Sequence, residues 1–338
     1  MNKEIYPFGN LPDGQTAELC VLRSSCAEVG ISTLGATIVS VRTPDRNGAW
    51  EDIALGFSSA PDYLKNSGCL GATIGRYAGR IANGRFPLNG KTVHLSQNRM
   101  PHTIHGGAEG FHRQLWSVFC LTEEQLGLEL RSPDGDQGFP GAMIARVVFT
   151  LCGDTLTMQI SCVSDADTVC SITNHVYWNL AGHGSGTVDG HILSLRADGY
   201  LETDAETIPT GRIFPVRGTA FDLNDPRLLR GAELDHTFLL PEAEGVQTVG
   251  RIYEPASGRT LEISTDLPAV QVYTSDHLPQ GMAGKNGAHY YPRSGVCLEA
   301  QMCPDSPNHE NFPSAFLRKG EEWKHEIRWQ FGVSDENP

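Results

Sequence analysis

No stretch of the chain approaches the roughly 18 consecutive apolar residues that span a bilayer. Its opening residues, MNKEIYPFGNLPDGQT, have no apolar run with a small-residue cleavage site of the kind a secretory leader carries. A membrane partner is therefore not expected, and the cytoplasm is the expected compartment. Positive charge is also short: 26 Lys and Arg stand against 40 Asp and Glu, a formal charge of −14. That balance argues against a nucleic-acid partner, which requires a basic surface. Cysteine occurs nine times but never as a CxxC pair, so zinc ribbons and thioredoxin-type redox sites have no support. The scattered thiols read as buried residues in a reducing compartment. Long helical stretches are scarce as well, because Gly or Pro interrupts nearly every candidate. Pro61 to Asn66 and Asp225 to Arg230 are expected to make a turn or two each. Without an αβαβ alternation, a doubly wound sheet is improbable.

What the chain does have is ordinary globular composition, 39% hydrophobic and 20% charged, with 37 Gly among 338 residues. Glycine at that level signals many tight turns. The strongest local pattern runs from Val147 to Val163. Val147, Phe149 and Leu151 alternate with Val148, Thr150 and Cys152, then Gly153-Asp154 precedes Leu156, Met158, Ile160 and Cys162. A period of two around a two-residue turn predicts a β-hairpin with one face in a core. The same period recurs at Leu126, Leu128 and Leu130, at Leu261 and Ile263, at Val270 and Val272, and at Ile327, Trp329 and Phe331. Turn signals such as Asn83-Gly84, Asn89-Gly90, Asp134-Gly135 and Asn286-Gly287 separate such runs. No linker or fixed-period repeat is visible, so residues 1–338 are expected to form a single all-β domain, a large stack of antiparallel sheets with few short helices.

Residues able to do chemistry gather in GRYAGRI (Arg76, Gly79, Arg80), PHTIHGG (His102, His105), TNHVYWNLAG (His175, Trp178), LDHTF (Asp235) and GVCLEAQ (Glu299, Gln301). Glu299 lies in an otherwise apolar run, Val296 to Ala300, where burial would lift a carboxyl pKa toward neutrality; the plain alternative is a strand residue facing solvent. His175 reads either as a proton donor or as a hydrogen-bonded core residue. Trp178 reads either as a platform for a sugar ring or as core, and Arg80 with Asp235 as site residues or as a salt bridge. The HTIH spacing lacks the frame of a metal helix, and on a strand positions three apart point to opposite faces. The GHGSG run at 182–186 lacks the lysine and helix of a phosphate loop and reads as a turn.

Taken in order, GRYAGRI, IHGG followed by GFHRQLW, TNHVYWNLAG, LDHTF, VQVYTSD, LEAQMCPDSPN and FPSAFLRKGEEW resemble the aldose 1-epimerase (galactose mutarotase) family over roughly positions 5 to 333. The resemblance implies a large antiparallel β-sandwich of the galactose mutarotase type with a sugar cleft. It also implies an enzyme that interconverts the α and β anomers of a free aldose such as glucose or galactose, with no cofactor and no metal. Carried over position by position, it makes Glu299 the base at the anomeric hydroxyl and His175 the acid at the ring oxygen, across one pyranose from each other, with His105 as the second histidine. Arg80, Asp235 and Gln271 then hold sugar hydroxyls. Gly79 stands where the family commonly has Asn, which removes an amide from a polyol site and weakens the assignment of substrate. A small aldose is the implied partner, and the acting unit is a monomer or a homodimer. Competing readings are a non-catalytic sugar-binding or sensor protein of the same fold, a mutarotase for phosphorylated hexoses, for which Arg76 and Arg80 would supply charge, and a glycoside hydrolase.

Overall fold

Alternating apolar residues build the larger layer. Strands Met143–Cys152 and Thr155–Ser164 pair in register from Met143 opposite Ser164 to Cys152 opposite Thr155, and Gly153 takes the positive φ of 58° that the two-residue turn requires. The computed structural model, which describes residues 4–66 and 68–334, extends this hairpin into a nine-stranded antiparallel sheet. Glu322–Val333 pairs with Thr155–Ser164 on one side and Arg259–Thr265 on the other. Val147, Phe149, Met158, Ile160, Ile263 and Trp329 bury one face of it.

A second antiparallel sheet runs in the order Pro209–Pro215, Gly199–Thr203, Asp235–Leu239, Ala269–Tyr273 and Cys297–Gln301. Period two sorts its residues cleanly. Phe238, Val270, Val272, Leu298 and Ala300 join the same hydrophobic cluster as the large sheet. The intervening residues, Asp235, Thr237, Gln271, Tyr273, Glu299 and Gln301, line a cleft on the other face. The chain is therefore an all-β sandwich: one face of the smaller sheet is core, and the opposite face is chemistry. A third sheet, a five-stranded meander, covers Ile5–Asp52.

Expectations about turns and helices divide. Asn89 and Gly90, with φ of 50° and 75°, close the tight hairpin between Arg85–Leu88 and Lys91–His94. Ala60–Lys65 is an α-helix, with Pro61 in its first turn. Asp225 to Arg230 is not helical. Arg227 and Leu228 form a short edge strand against Ile192 and Leu193. Pro226 disfavours the α region for Asp225, leaving too few residues to nucleate a helix while a sheet edge is within reach.

Candidate active site

The smaller sheet and the loops around it enclose a cleft of about 530 Å³. Register sets its floor. Gln271 lies directly opposite Glu299 on the neighbouring strand, and Thr237 lies opposite Gln271 on the next. Gln271 Nε2 donates to Asp235 Oδ1 at 2.7 Å, and the Thr237 hydroxyl donates to Gln271 Oε1. This chain fixes which amide atom points at Asp235 and holds the carboxylate in place. The wall comes from Gly79 and Arg80 and from the loop bearing His105, and His175 approaches from the segment after Thr173–Asn174.

His175 is the centre of a ring stack. Its imidazole lies parallel to Tyr177, centroids 5.0 Å apart, and His105 meets it edge-on at 5.2 Å. Nδ1 of His105 accepts the Gly79 backbone N–H at 3.3 Å, so in the neutral ring the proton sits on Nε2. His175 Nε2 lies 3.7 Å from Glu299 Oε1, and both side chains are almost wholly buried. Burial raises the Glu299 carboxyl well above its ordinary value, with Asp235 adding to the rise and Arg80 opposing it. Burial likewise pulls His175 down to about 4 and His105 well below 6.5, the latter also through repulsion from His175. Glu299, sitting in an apolar run, is thus a desolvated carboxyl and not a solvent-facing strand residue.

Seven of the eight site residues singled out from the sequence line this one cleft: Gly79, Arg80, His105, His175, Asp235, Gln271 and Glu299. Trp178 does not. Its ring is fully buried and packs on Trp329 and Phe331 between the sheets, 6.2 and 5.9 Å centroid to centroid. Adjacent residues of an extended segment point to opposite sides, so Tyr177 faces the cleft and Trp178 the core. Glu299 and His175 do not lie across a pyranose from each other as expected, because at 3.7 Å no ring fits between Oε1 and Nε2. Arg76 is structural: it is buried, and it donates to Ser132 Oγ and to the carbonyls of Ser132, Pro133, Pro140 and Gly141. It is not free to meet a phosphate. Among the described residues, no ion pair within 4 Å joins Arg80 to Asp235; burial lowers the Arg80 guanidinium, and the Asp235 charge opposes that fall. His102 and His105 diverge, as their spacing predicts, with His102 Nδ1 accepting the Asn83 N–H at 3.0 Å.

Residues that the sequence reading left without a role are Tyr177, Thr237, His112 and Gln301. Thr237 and Gln301 each stand two residues from a singled-out carboxylate on a strand, a spacing that carries the same-face signal. Among the described residues, His175, Cys297 and Glu299 also form a metal-compatible donor set, with ligand atoms within 4.8 Å of one another. Burial lifts the Cys297 thiol well above 9, so it would have to release a proton to ligate.

Comparison with known proteins agrees with this geometry. The aldose 1-epimerase family profile matches residues 18–330. Galactose mutarotase of Mus musculus is 43% identical over 97% of this chain and 98% of its own length. The aldose 1-epimerase of Escherichia coli K12 is 36% identical over 95% and 96%. Among solved structures, an aldose epimerase homologue from C. elegans superposes with a TM-score of 0.89 at 30% identity, covering 94% of this chain and 99% of that one. Galactose 1-epimerase from Lactobacillus acidophilus gives 0.84 at 25% identity, covering 98% and 99%. The chain belongs to the aldose 1-epimerase family.

Proposed function

We propose that the protein interconverts the α and β anomers of a free aldose, with Glu299 and His175 as one proton-transfer unit. The observation that carries this reading is the 3.7 Å approach of Glu299 Oε1 to His175 Nε2, both buried, in a cleft lined by polar and charged groups. Mutarotation removes the proton from O1 while supplying one to O5, then reverses the transfers after rotation about C1–C2. O1 and O5 are bonded to the same carbon, so an acid and a base side by side suit the reaction better than a pair on opposite faces.

The two burial effects set the energetics. Starting from Glu299 carboxylate and His175 imidazolium, the carboxylate takes the O1 proton and Nε2 gives its proton to O5. C1–O5 breaks, and C1 is left as an aldehyde, so atoms and charge balance. The side chains finish as carboxylic acid and neutral imidazole. Desolvation favours the neutral pair, raising Glu299 and lowering His175. Attraction between the charges favours the ion pair by about 4 kcal/mol at roughly 4 Å in an effective dielectric of about 20. Opposed terms of this size bring the two proton arrangements close in free energy, as a reaction that must run in both directions requires. His105, its Nε2–H fixed by the Gly79 contact, supplies a neutral donor in the same cleft.

Polarimetry on freshly dissolved α-D-glucose and α-D-galactose tests the reading. Glu299→Gln keeps shape and removes the base; its catalysed rate should fall at least about 10²-fold with sugar binding largely retained. A Glu299→Gln variant as active as the parent would refute the assignment. Should the parent bind aldoses by calorimetry yet speed no anomerisation, the sensor reading would replace it.

A further inference from the structure

Among the described residues of the cleft, Gln301 alone has both of its side-chain polar atoms buried without a hydrogen-bond partner. It is almost fully buried. Leaving a buried amide unpaired is costly. Structures keep such groups chiefly where something else completes them. Glu299 is two positions away on the same strand, so both side chains face the same space.

The route from Gln301 into the cleft passes Gly79. A Cβ on residue 79 would stand 2.8 Å from Pro304 Cγ and 3.5 Å from Gln301 Nε2, and its φ of +76° is strained for any other side chain. Pro304 and the left-handed backbone therefore hold residue 79 to glycine, and no side chain of residue 79 stands against the Gln301 amide. The amide function absent at position 79 is present about one side-chain layer deeper.

We infer that Gln301 is a substrate-binding residue, whose carboxamide takes a hydroxyl of the aldose through one donated and one accepted hydrogen bond on the cleft face that it shares with Glu299. A carboxamide, which both donates and accepts, matches a hydroxyl, which does the same. This rests on the aldose 1-epimerase reading above, but its test separates the two.

Gln301→Leu removes both hydrogen bonds at similar volume. KM for the preferred aldose should rise about tenfold or more, with a smaller fall in kcat, because binding is lost in ground and transition states alike. With the unaltered enzyme, a panel of monodeoxy aldoses should contain one analogue whose KM is about tenfold worse, and Gln301→Leu should no longer distinguish that analogue from the parent sugar. The panel keeps the test decisive if the variant fails to fold: no deoxy analogue losing affinity would overturn the inference. So would a folded Gln301→Leu with unchanged KM for every sugar. If the unaltered protein catalyses nothing, the same comparison is made by calorimetric binding, where a shift on Gln301→Leu supports the subsite even as the catalytic reading fails.

Discussion

Glu299 and His175 illustrate how little a residue's reference chemistry says once it is buried. Loss of solvent pushes the Glu299 carboxyl well up and pulls His175 down to about 4. At 3.7 Å their titrations belong to the pair. The expected rate profile is a bell with a broad neutral plateau. On the acid side a second proton enters and leaves no base; on the alkaline side the pair's last proton departs and leaves no acid. Stopped polarimetric rates from pH 4 to 9 check this. A single rising limb centred near 6.5, the value of an unperturbed imidazole, would mean that His175 titrates without regard to the carboxylate.

At the scale of elements, alternation decides which neighbour does which job. Tyr177 stacks on His175 and Trp178 on Trp329, though they are consecutive. Trp178→Ala should destabilise the protein by about 3–5 kcal/mol through the cavity left between the sheets. KM of the molecules that remain folded should stay near the parent value, whereas Tyr177→Leu should alter the rate more than the stability. Denaturant midpoints set against kinetic constants for the two variants separate these effects, and a Trp178→Ala variant with unchanged stability would place the indole outside the core. The long hairpin was legible in the sequence because ten-residue strands repeat the period several times over. The two-residue pairings Thr73–Ile74 with Thr173–Asn174 and Arg80–Ile81 with Thr103–Ile104, which bring the His105 and His175 segments to the cleft, were not. A pairing of two residues carries no period, and this is also why the phase at Trp178 was unreadable. The candidate site was legible as residue types, through ordered resemblance. The 3.7 Å approach, the Thr237–Gln271–Asp235 chain and the unpartnered amide of Gln301 arise from register across three strands distant in sequence.

For the whole molecule, buried histidines set the acid limit of stability. His191, outside the cleft, accepts the Leu180 N–H on Nε2 at 2.9 Å, a bond that needs the unprotonated nitrogen. Burial lowers it to about 4, His112 is also lowered to about 4, and His105 is lowered well below 6.5. Between 6.5 and about 4 the unfolded chain binds protons at these sites and the native state does not. Stability therefore rises with pH through that window and is lost as pH falls. One such group costs on the order of 3 kcal/mol once pH falls to 4, so His191 and His112 together remove a large part of the 5–15 kcal/mol typical of a whole domain. Unfolding free energy from denaturant titrations should thus be near its maximum at pH 7 and drop steeply below 6. His191→Gln, which keeps an acceptor for Leu180 but cannot titrate, should flatten that slope by close to one proton even if its stability at pH 7 is lower. An identical slope in parent and variant would show that the proton which unfolds this protein enters elsewhere.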